Sequence, residues 1–281
     1  SRVVWSQIER VQDASEIVHP AIRGILQWLK IGEGVEIHHH GDLPARTGLG
    51  SSSSFSVGLL HALHALRGEL VSKRKLAEEA IYVEQQVLQE NVGVQDQIQS
   101  AFGGLNRIDI RTDGSFEVSP LVVRAERLAG LQKHLLLLYT GLSRHASEIA
   151  AEQVATMGSK TAELTAMRGM VDEGERILVG NGDLRDFGRL LHESWKLKRA
   201  LSTKIAPAFV NEIYDAALQA GADGGKLLGA GGGGFMLIFV DPDRRVAVIK
   251  ALAKLLPVPF QFERGGTQIV LYEPTSQNGH G

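Results

Sequence analysis

The spacing of apolar residues divides the chain into short strands and amphipathic helices. Strand-like runs at 35–38 and 106–110 flank two stretches, 53–66 and 72–88, whose apolar positions recur with helical period. The turn Arg111-Thr112-Asp113-Gly114-Ser115 leads into a further strand at 116–118. Leu135-Leu136-Leu137-Leu138-Tyr139 is apolar throughout, reads as a buried strand, and opens a second unit. Helical spacing then covers 146–157, 161–179, 184–201 and 209–220, the last stopped by Gly221. The order closes on a strand at 235–240, a helix at 244–255 and a strand at 268–272. This predicts an α+β chain of two domains, 1–128 and 129–281, with a boundary near Leu128–Lys133 that no obvious linker marks.

One polar residue breaks the pattern. On a helical wheel of 72–88, Leu76, Ala77, Ala80, Ile81, Val83, Val87 and Leu88 gather on one side, and Glu84 falls in their midst. An unpaired buried charge is costly, so Glu84 must face a cation, a hydrogen-bond network or a solvent-filled cleft; a buried salt bridge would serve as well.

Composition narrows the chemistry. The chain carries 30 Lys and Arg against 32 Asp and Glu, which gives no electrostatic reason to expect nucleic acid or an anionic membrane as partner. No apolar run approaches the ~20 residues of a membrane span. Cysteine is absent, which excludes disulfides, thiolate catalysis and cysteine-based metal sites and agrees with a cytoplasmic location. His38-His39-His40 point alternately to opposite faces of an extended segment and have no carboxylate spaced to complete a metal site. A serine hydrolase is excluded at Ser51 to Ser54 by the missing Gly-x-Ser-x-Gly elbow.

Pro44-Ala45-Arg46-Thr47-Gly48-Leu49-Gly50-Ser51-Ser52-Ser53-Ser54 runs straight into an apolar helical stretch. Glycines allow close backbone approach, and the N–H groups and positive dipole end of a helix start attract an anion, so the loop suits a phosphate. No Gly-Lys-Ser or Gly-Lys-Thr follows, so this is not the common P-loop, and the serines must offer hydroxyls to phosphate or metal. A second segment, Gly224-Gly225-Lys226-Leu227-Leu228-Gly229-Ala230-Gly231-Gly232-Gly233-Gly234, precedes the apolar run 235–240. Four consecutive glycines cost folding entropy and pack nothing, so a plain hairpin is a poor account of them.

The two segments in this order resemble the second and third motifs of the galactokinase, homoserine kinase, mevalonate kinase and phosphomevalonate kinase (GHMP) superfamily. Within it, His19-Pro20, Asp42-Leu43-Pro44, Gly48 through Leu60, Gln95-Asp96-Gln97, Gly103-Gly104-Leu105-Asn106, Tyr139-Thr140-Gly141 and Ala146-Ser147-Glu148-Ile149 are similar to the D-glycero-α-D-manno-heptose 7-phosphate kinase group. The resemblance implies a two-domain fold with a ribosomal protein S5 domain 2-like N-terminal domain and an α+β C-terminal domain. It also implies an opening strand and a motif rich in Arg, Pro and Gly, whereas this sequence begins at Ser1-Arg2-Val3, which matches a later point.

The roles implied by the resemblance are specific. ATP would lie on Gly48, Leu49, Gly50, Ser51, Ser52, Ser53, Gly229, Gly231 and Gly232. Mg²⁺, a hard cation that takes oxygen ligands, would be shared by Ser52 and Glu84. Asp96, twelve positions after Glu84, would orient and deprotonate the sugar hydroxyl, although spacing alone would equally make it a helix N-cap. Arg144, Gly141 and Lys226 would meet the substrate, with Lys198 and Arg199 as further cations. The expected activity is ATP-dependent phosphorylation of the anomeric hydroxyl of a heptose 7-phosphate to the 1,7-bisphosphate, on the way to nucleotide-activated heptose for surface polysaccharide. A fucokinase-like or galactokinase-like enzyme on an unphosphorylated sugar, and a binding protein without turnover, are the alternatives. The partner is a phosphorylated sugar, and a homodimer is compatible with these residues.

Overall fold

The computed structural model describes residues 1–32, 34–43, 47–142, 150–151, 154–155 and 157–273. It divides into two compact units, one made of Ser1–Ala45, Gly50–Gly104 and Glu263–Gly281, the other of Arg46–Leu49 and Leu105–Phe262. The expected boundary at 128/129 is therefore displaced: that position lies inside a helix, Ala125–His134, of the second unit. The chain enters the second unit at Arg46, re-enters the first at Gly50, leaves it after Gly104 and returns to it at Glu263.

The first unit holds a three-stranded sheet in which β1 (Arg2–Val4) pairs antiparallel with β2 (Ile8–Arg10) and parallel with β3 (Glu36–His38). Its helices are α1 (Pro20–Trp28), α2 (Ser51–Leu66), α3 (Lys73–Tyr82) and α4 (Gln95–Phe102). Pro20 and the His19 ring, which accepts from Ile22 N–H, start α1; the Ser72 hydroxyl, which accepts from Lys75 N–H, starts α3. Val3, Ile22, Ile25, Leu60, Leu76 and Ile98 are fully enclosed, and each such aliphatic side chain contributes about 1.5–3 kcal/mol. The predicted helix over 72–88 does not stay α-helical. Its last turn, Val83–Val87, widens to a π turn, with Leu88 N–H on Val83 O at 2.8 Å.

The expected strand at 268–272 is absent. Val270 and Leu271 are 93% and 76% exposed there, and an apolar run becomes a strand only where a neighbouring backbone pairs with it. The same returning segment is tied in just before this point, through Gly104 N–H to Glu263 O at 3.0 Å and Thr267 N–H to Ser100 O at 2.9 Å.

In the second unit β4 (Asn106–Ile110) and β5 (Phe116–Pro120) form a hairpin. After α5 (Ala125–His134) comes β6 (Leu135–Tyr139), followed by α6 (Thr161–Val179), α7 (Arg185–Arg199) and α8 (Ala208–Gln219). Then β7 (Ala222–Leu227), β8 (Phe235–Val240), α9 (Arg245–Ala251) and β9 (Leu256–Val258) complete an antiparallel sheet of order β7-β8-β6-β9. Leu136, Leu138, Ile238 and Val240 pack with Trp195, Val210 and Tyr214, while Leu135 and Phe239 pack with Leu131 and Leu178. The sheet is covered on both faces, which explains why β6 and β8 are apolar without alternation. Among the described residues no helix is long and apolar enough to cross a membrane. Arg144 and most of the helix expected over 146–157 lie outside the described residues.

Candidate active site

In the first unit the candidate chemistry gathers at the start of α2. Its N-cap is Gly50, at φ 69° and ψ 21°, and no side chain caps the helix. The first N–H to bond within the helix is that of Ser54, on Gly50 O at 2.8 Å, so those of Ser51, Ser52 and Ser53 have no intrahelical acceptor and suit an anion. Asp96 lies beside this helix start: a β-carbon on Gly50 would sit 3.2 Å from Asp96 Cγ and 3.4 Å from its Oδ2. Asp96 is not an N-cap. Val94 occupies the cap of α4, and Asp96 is the second helical residue, with an exposed side chain.

Its neighbour Gln97 is fully buried and turns inward. Gln97 Nε2 donates to Glu84 Oε2 at 2.5 Å, and the Ser53 hydroxyl donates to the same oxygen at 2.9 Å. Glu84 is 0% exposed in the π turn, and burial raises its pKa; the Ser56, Ser53 and Gln97 side chains act in the opposite direction without offsetting it. No basic residue pairs with it among the described residues, so the salt-bridge alternative falls away. Among the described residues it is Ser53 that hydrogen-bonds the carboxylate; Ser52, expected to share an ion with Glu84, is rotated about 100° along the helix and exposed. One residue beyond Ser53 on α2 and three beyond Gln97 on α4, Ser54 Oγ and Ser100 Oγ lie 2.9 Å apart and also join the two helices.

Glu84 Oε1 accepts no hydrogen bond of ordinary geometry among the described residues, although the buried Ser56 hydroxyl, itself without a partner there, lies close enough to act on the carboxylate. A buried, orphaned carboxylate oxygen near a helix start rich in hydroxyls fits a hard divalent cation, which would satisfy the oxygen and offset the cost of burial. The described residues contain no group of three or more His, Cys, Asp or Glu able to hold a metal. An ion held there would take its other ligands from water and phosphate, as Mg²⁺ commonly does.

In the second unit, the early and late glycine segments meet. A β-carbon on Gly48 would lie 2.9 Å from Leu228 O, and one on Gly229 would lie 2.6 Å from Gly48 Cα, so both positions demand glycine on contact grounds. Both also have positive φ, 79° and 70°. Gly232 N–H donates to Ile205 O at 3.0 Å. Lys198 Nζ donates to Gly229 O at 2.7 Å, which brings this sequence candidate to the glycine run. Arg199 instead lies over the Tyr214 ring. Lys226, on β7, is half-buried, and loss of solvent lowers its pKa; it has no ion-pair partner among the described residues. A β-carbon on Gly141, at φ 77°, would meet nothing within 4 Å among the described residues.

Thr140 was missed by reasoning from residue chemistry. Its N–H and hydroxyl both donate to Gly234 O, at 2.9 and 2.8 Å, and Gly234 N–H donates back to the hydroxyl at 3.0 Å, which clamps the end of the glycine run to the end of β6. Its place in Tyr139-Thr140-Gly141 was the only available signal.

Comparison with known proteins adds to this geometry. Residues 15–104 match the GHMP kinases N terminal domain, and residues 176–258 match the GHMP kinases C terminal model. A D-glycero-alpha-D-manno-heptose 7-phosphate kinase of Campylobacter jejuni is 30% identical over 220 residues, covering 78% of this chain and 65% of that protein. An L-fucokinase/L-fucose-1-P guanylyltransferase of Bacteroides fragilis is 31% identical over 244 residues, covering 81% of this chain and 24% of the relative. The chain thus spans just under two thirds of the first relative and about a quarter of the second. The crystal structure of a D-glycero-D-manno-heptose 1-phosphate kinase from Bacteroides thetaiotaomicron superposes with a TM-score of 0.72 at 23% identity, over 94% of this chain and 81% of that one.

Proposed function

The chain belongs to the GHMP kinases, and from that premise we propose that it transfers the terminal phosphoryl group of ATP to the anomeric hydroxyl of a D-glycero-D-manno-heptose 7-phosphate, yielding the 1,7-bisphosphate and ADP. The observation that carries this reading is the position of Asp96 against Gly50, at the anion-attracting start of α2. A phosphate seated on the N–H groups of Ser51 to Ser53 would lie beside a carboxylate able to accept the hydroxyl proton. The sugar oxygen forms its bond to phosphorus as the bond to the ADP oxygen breaks, and the proton passes to Asp96. Such a transfer needs alignment and charge neutralisation more than complete proton removal, so an exposed carboxylate suffices.

Mg²⁺, where bound, would be held through Glu84 and the Ser52 hydroxyl and would neutralise phosphate charge. Gly48, Leu49, Gly229, Gly231 and Gly232 offer backbone to the nucleotide, while Lys226, Gly141 and Arg144 are assigned to the substrate. A reaction that draws on cellular ATP belongs in the cytoplasm.

The fucokinase relative favours a second reading, in which the acceptor is an unphosphorylated sugar. ADP release by the complete protein on heptose 7-phosphate, heptose, fucose and galactose separates the two. Turnover confined to an unphosphorylated sugar overturns the first reading, and none on any sugar overturns both.

A further inference from the structure

Two neighbouring residues of α4 face opposite ways. Asp96 is exposed, whereas Gln97, about 100° round the helix, is fully buried. Gln97 is the third residue of α4 and Ser53 the third residue of α2, and both donate to one oxygen, Glu84 Oε2, at 2.5 and 2.9 Å. An acceptor shared by two donors allows little change in the distance between the helix starts that carry them. The π turn contributes to this geometry by bending the backbone of Val83–Val87 at the residue that supplies the acceptor.

We propose that Gln97 is a positioning residue for Asp96, and that the buried bridge Ser53–Glu84–Gln97 holds the Asp96 carboxylate in place against the start of α2. Gln97 itself touches no substrate; it acts through the backbone it shares with Asp96. The carboxylate decides which way the Gln97 amide points, since a reversed amide would set oxygen against oxygen, and this leaves Gln97 Oε1 without a partner among the described residues. Tolerating an orphaned acceptor and a fully buried carboxylate costs stability that apolar residues of the same size would not, and a uniquely fixed arrangement is the gain set against that cost. The Ser54 and Ser100 hydroxyls add a second tie between the same helices on their exposed side.

This inference rests on the kinase reading in that Asp96 is taken as the base. The test uses the complete protein carrying Gln97→Leu, Gln97→Glu, or Glu84→Gln combined with Gln97→Glu, which exchanges the two groups and rebuilds the hydrogen bond. At saturating Mg²⁺, Gln97→Leu should lower kcat by about 10- to 100-fold, the scale of a misplacement near 1 Å, with KM for ATP changed less than about 2-fold. Gln97→Glu alone, which opposes two carboxylates, should be as impaired; the exchanged pair, which also moves the carboxylate proposed for Mg²⁺, is read by amide exchange and not by kcat. Wild-type kcat in Gln97→Leu overturns the bridge. Should Gln97→Leu fail to fold by circular dichroism, Gln97→Met takes its place, with the same outcomes. The bridge is also judged by amide exchange at 51–54 and 95–98, which stands alone if the wild type turns over no sugar and the kinase reading fails. Exchange should quicken at both segments in Gln97→Leu and return in the exchanged pair; unchanged exchange rejects the bridge.

Discussion

Asp96 lies against the bare α-carbon of Gly50, where even one added carbon would come within 3.2 Å of its carboxyl carbon. Gly50→Ala should therefore act twice. The left-handed φ of 69° costs an alanine roughly 1–2 kcal/mol, which lowers the thermal midpoint by about 2–4 °C per kcal/mol. The new methyl should also displace Asp96 and reduce kcat by about 10-fold or more under conditions where the protein is fully folded. Calorimetry beside steady-state kinetics separates the two effects, and an undisturbed kcat would contradict the proposed place of Asp96 in the reaction.

Asp96→Asn keeps the shape of the side chain but not its capacity to accept a proton. Turnover should fall at least ~10²-fold, with nucleotide affinity, measured by calorimetric titration, close to wild type.

Ser52→Ala and Glu84→Gln should each raise the Mg²⁺ concentration needed for half-maximal activity, since each removes or weakens one oxygen ligand. A Mg²⁺ titration of initial rates checks this. A lower kcat with unchanged Mg²⁺ dependence in Glu84→Gln would leave Glu84 only its part in the bridge.

Burial of Glu84 raises its pKa above the ordinary 4.5. In the fold it therefore holds its proton to higher pH than in the unfolded chain, so stability declines as pH rises from about 4.5 through the folded value and then levels off. Without Mg²⁺, Glu84→Gln should unfold at higher temperature than wild type at neutral pH, and the difference should shrink as pH is lowered toward 4.5. Thermal melts across pH 4 to 8 in a chelating buffer measure it.

For the acceptor, Arg144→Ala should raise KM for heptose 7-phosphate by roughly 10-fold, the scale of one charge-assisted phosphate contact, and leave KM for ATP unaltered. Equal losses on heptose and heptose 7-phosphate would show that Arg144 does not read the distal phosphate.

Periodicity located Asn106–Ile110, Leu135–Tyr139, Thr161–Val179 and Phe235–Val240 to the residue, because each is long or apolar enough for one pattern to dominate. It missed β7, whose Ala222-Asp223-Gly224-Gly225 reads as a turn. Gly224 faces α7, where a β-carbon would lie 2.9 Å from His192 N, and Gly225 faces β8, where one would lie 2.4 Å from Leu237 O. Only tertiary contact gives the reason for both. At the site, the misfit of Glu84 on an apolar helix face was legible, and so was the anion-attracting loop. The serine that meets Glu84 was not, since Ser52 and Ser53 differ by one step of a helix whose exact start depends on Gly50. The inward turn of Gln97 was equally hidden, because an amide beside an aspartate carries no pattern of its own.

The widened turn at Val83–Val87 makes chain length, as distinct from residue identity, a variable at this site. A π turn is an α-helix with one residue to spare, so deleting Gln85 or Gln86 would let the helix close into regular i→i+4 bonding with every backbone group still served. Such a shortened protein should express, fold and melt much like its parent. The deletion would nevertheless draw the segment leading to Asp96 back by about 1.5 Å and turn it by about 100° relative to Glu84. Screens that score only abundance or melting temperature would pass that deletion as neutral, and an activity screen would not.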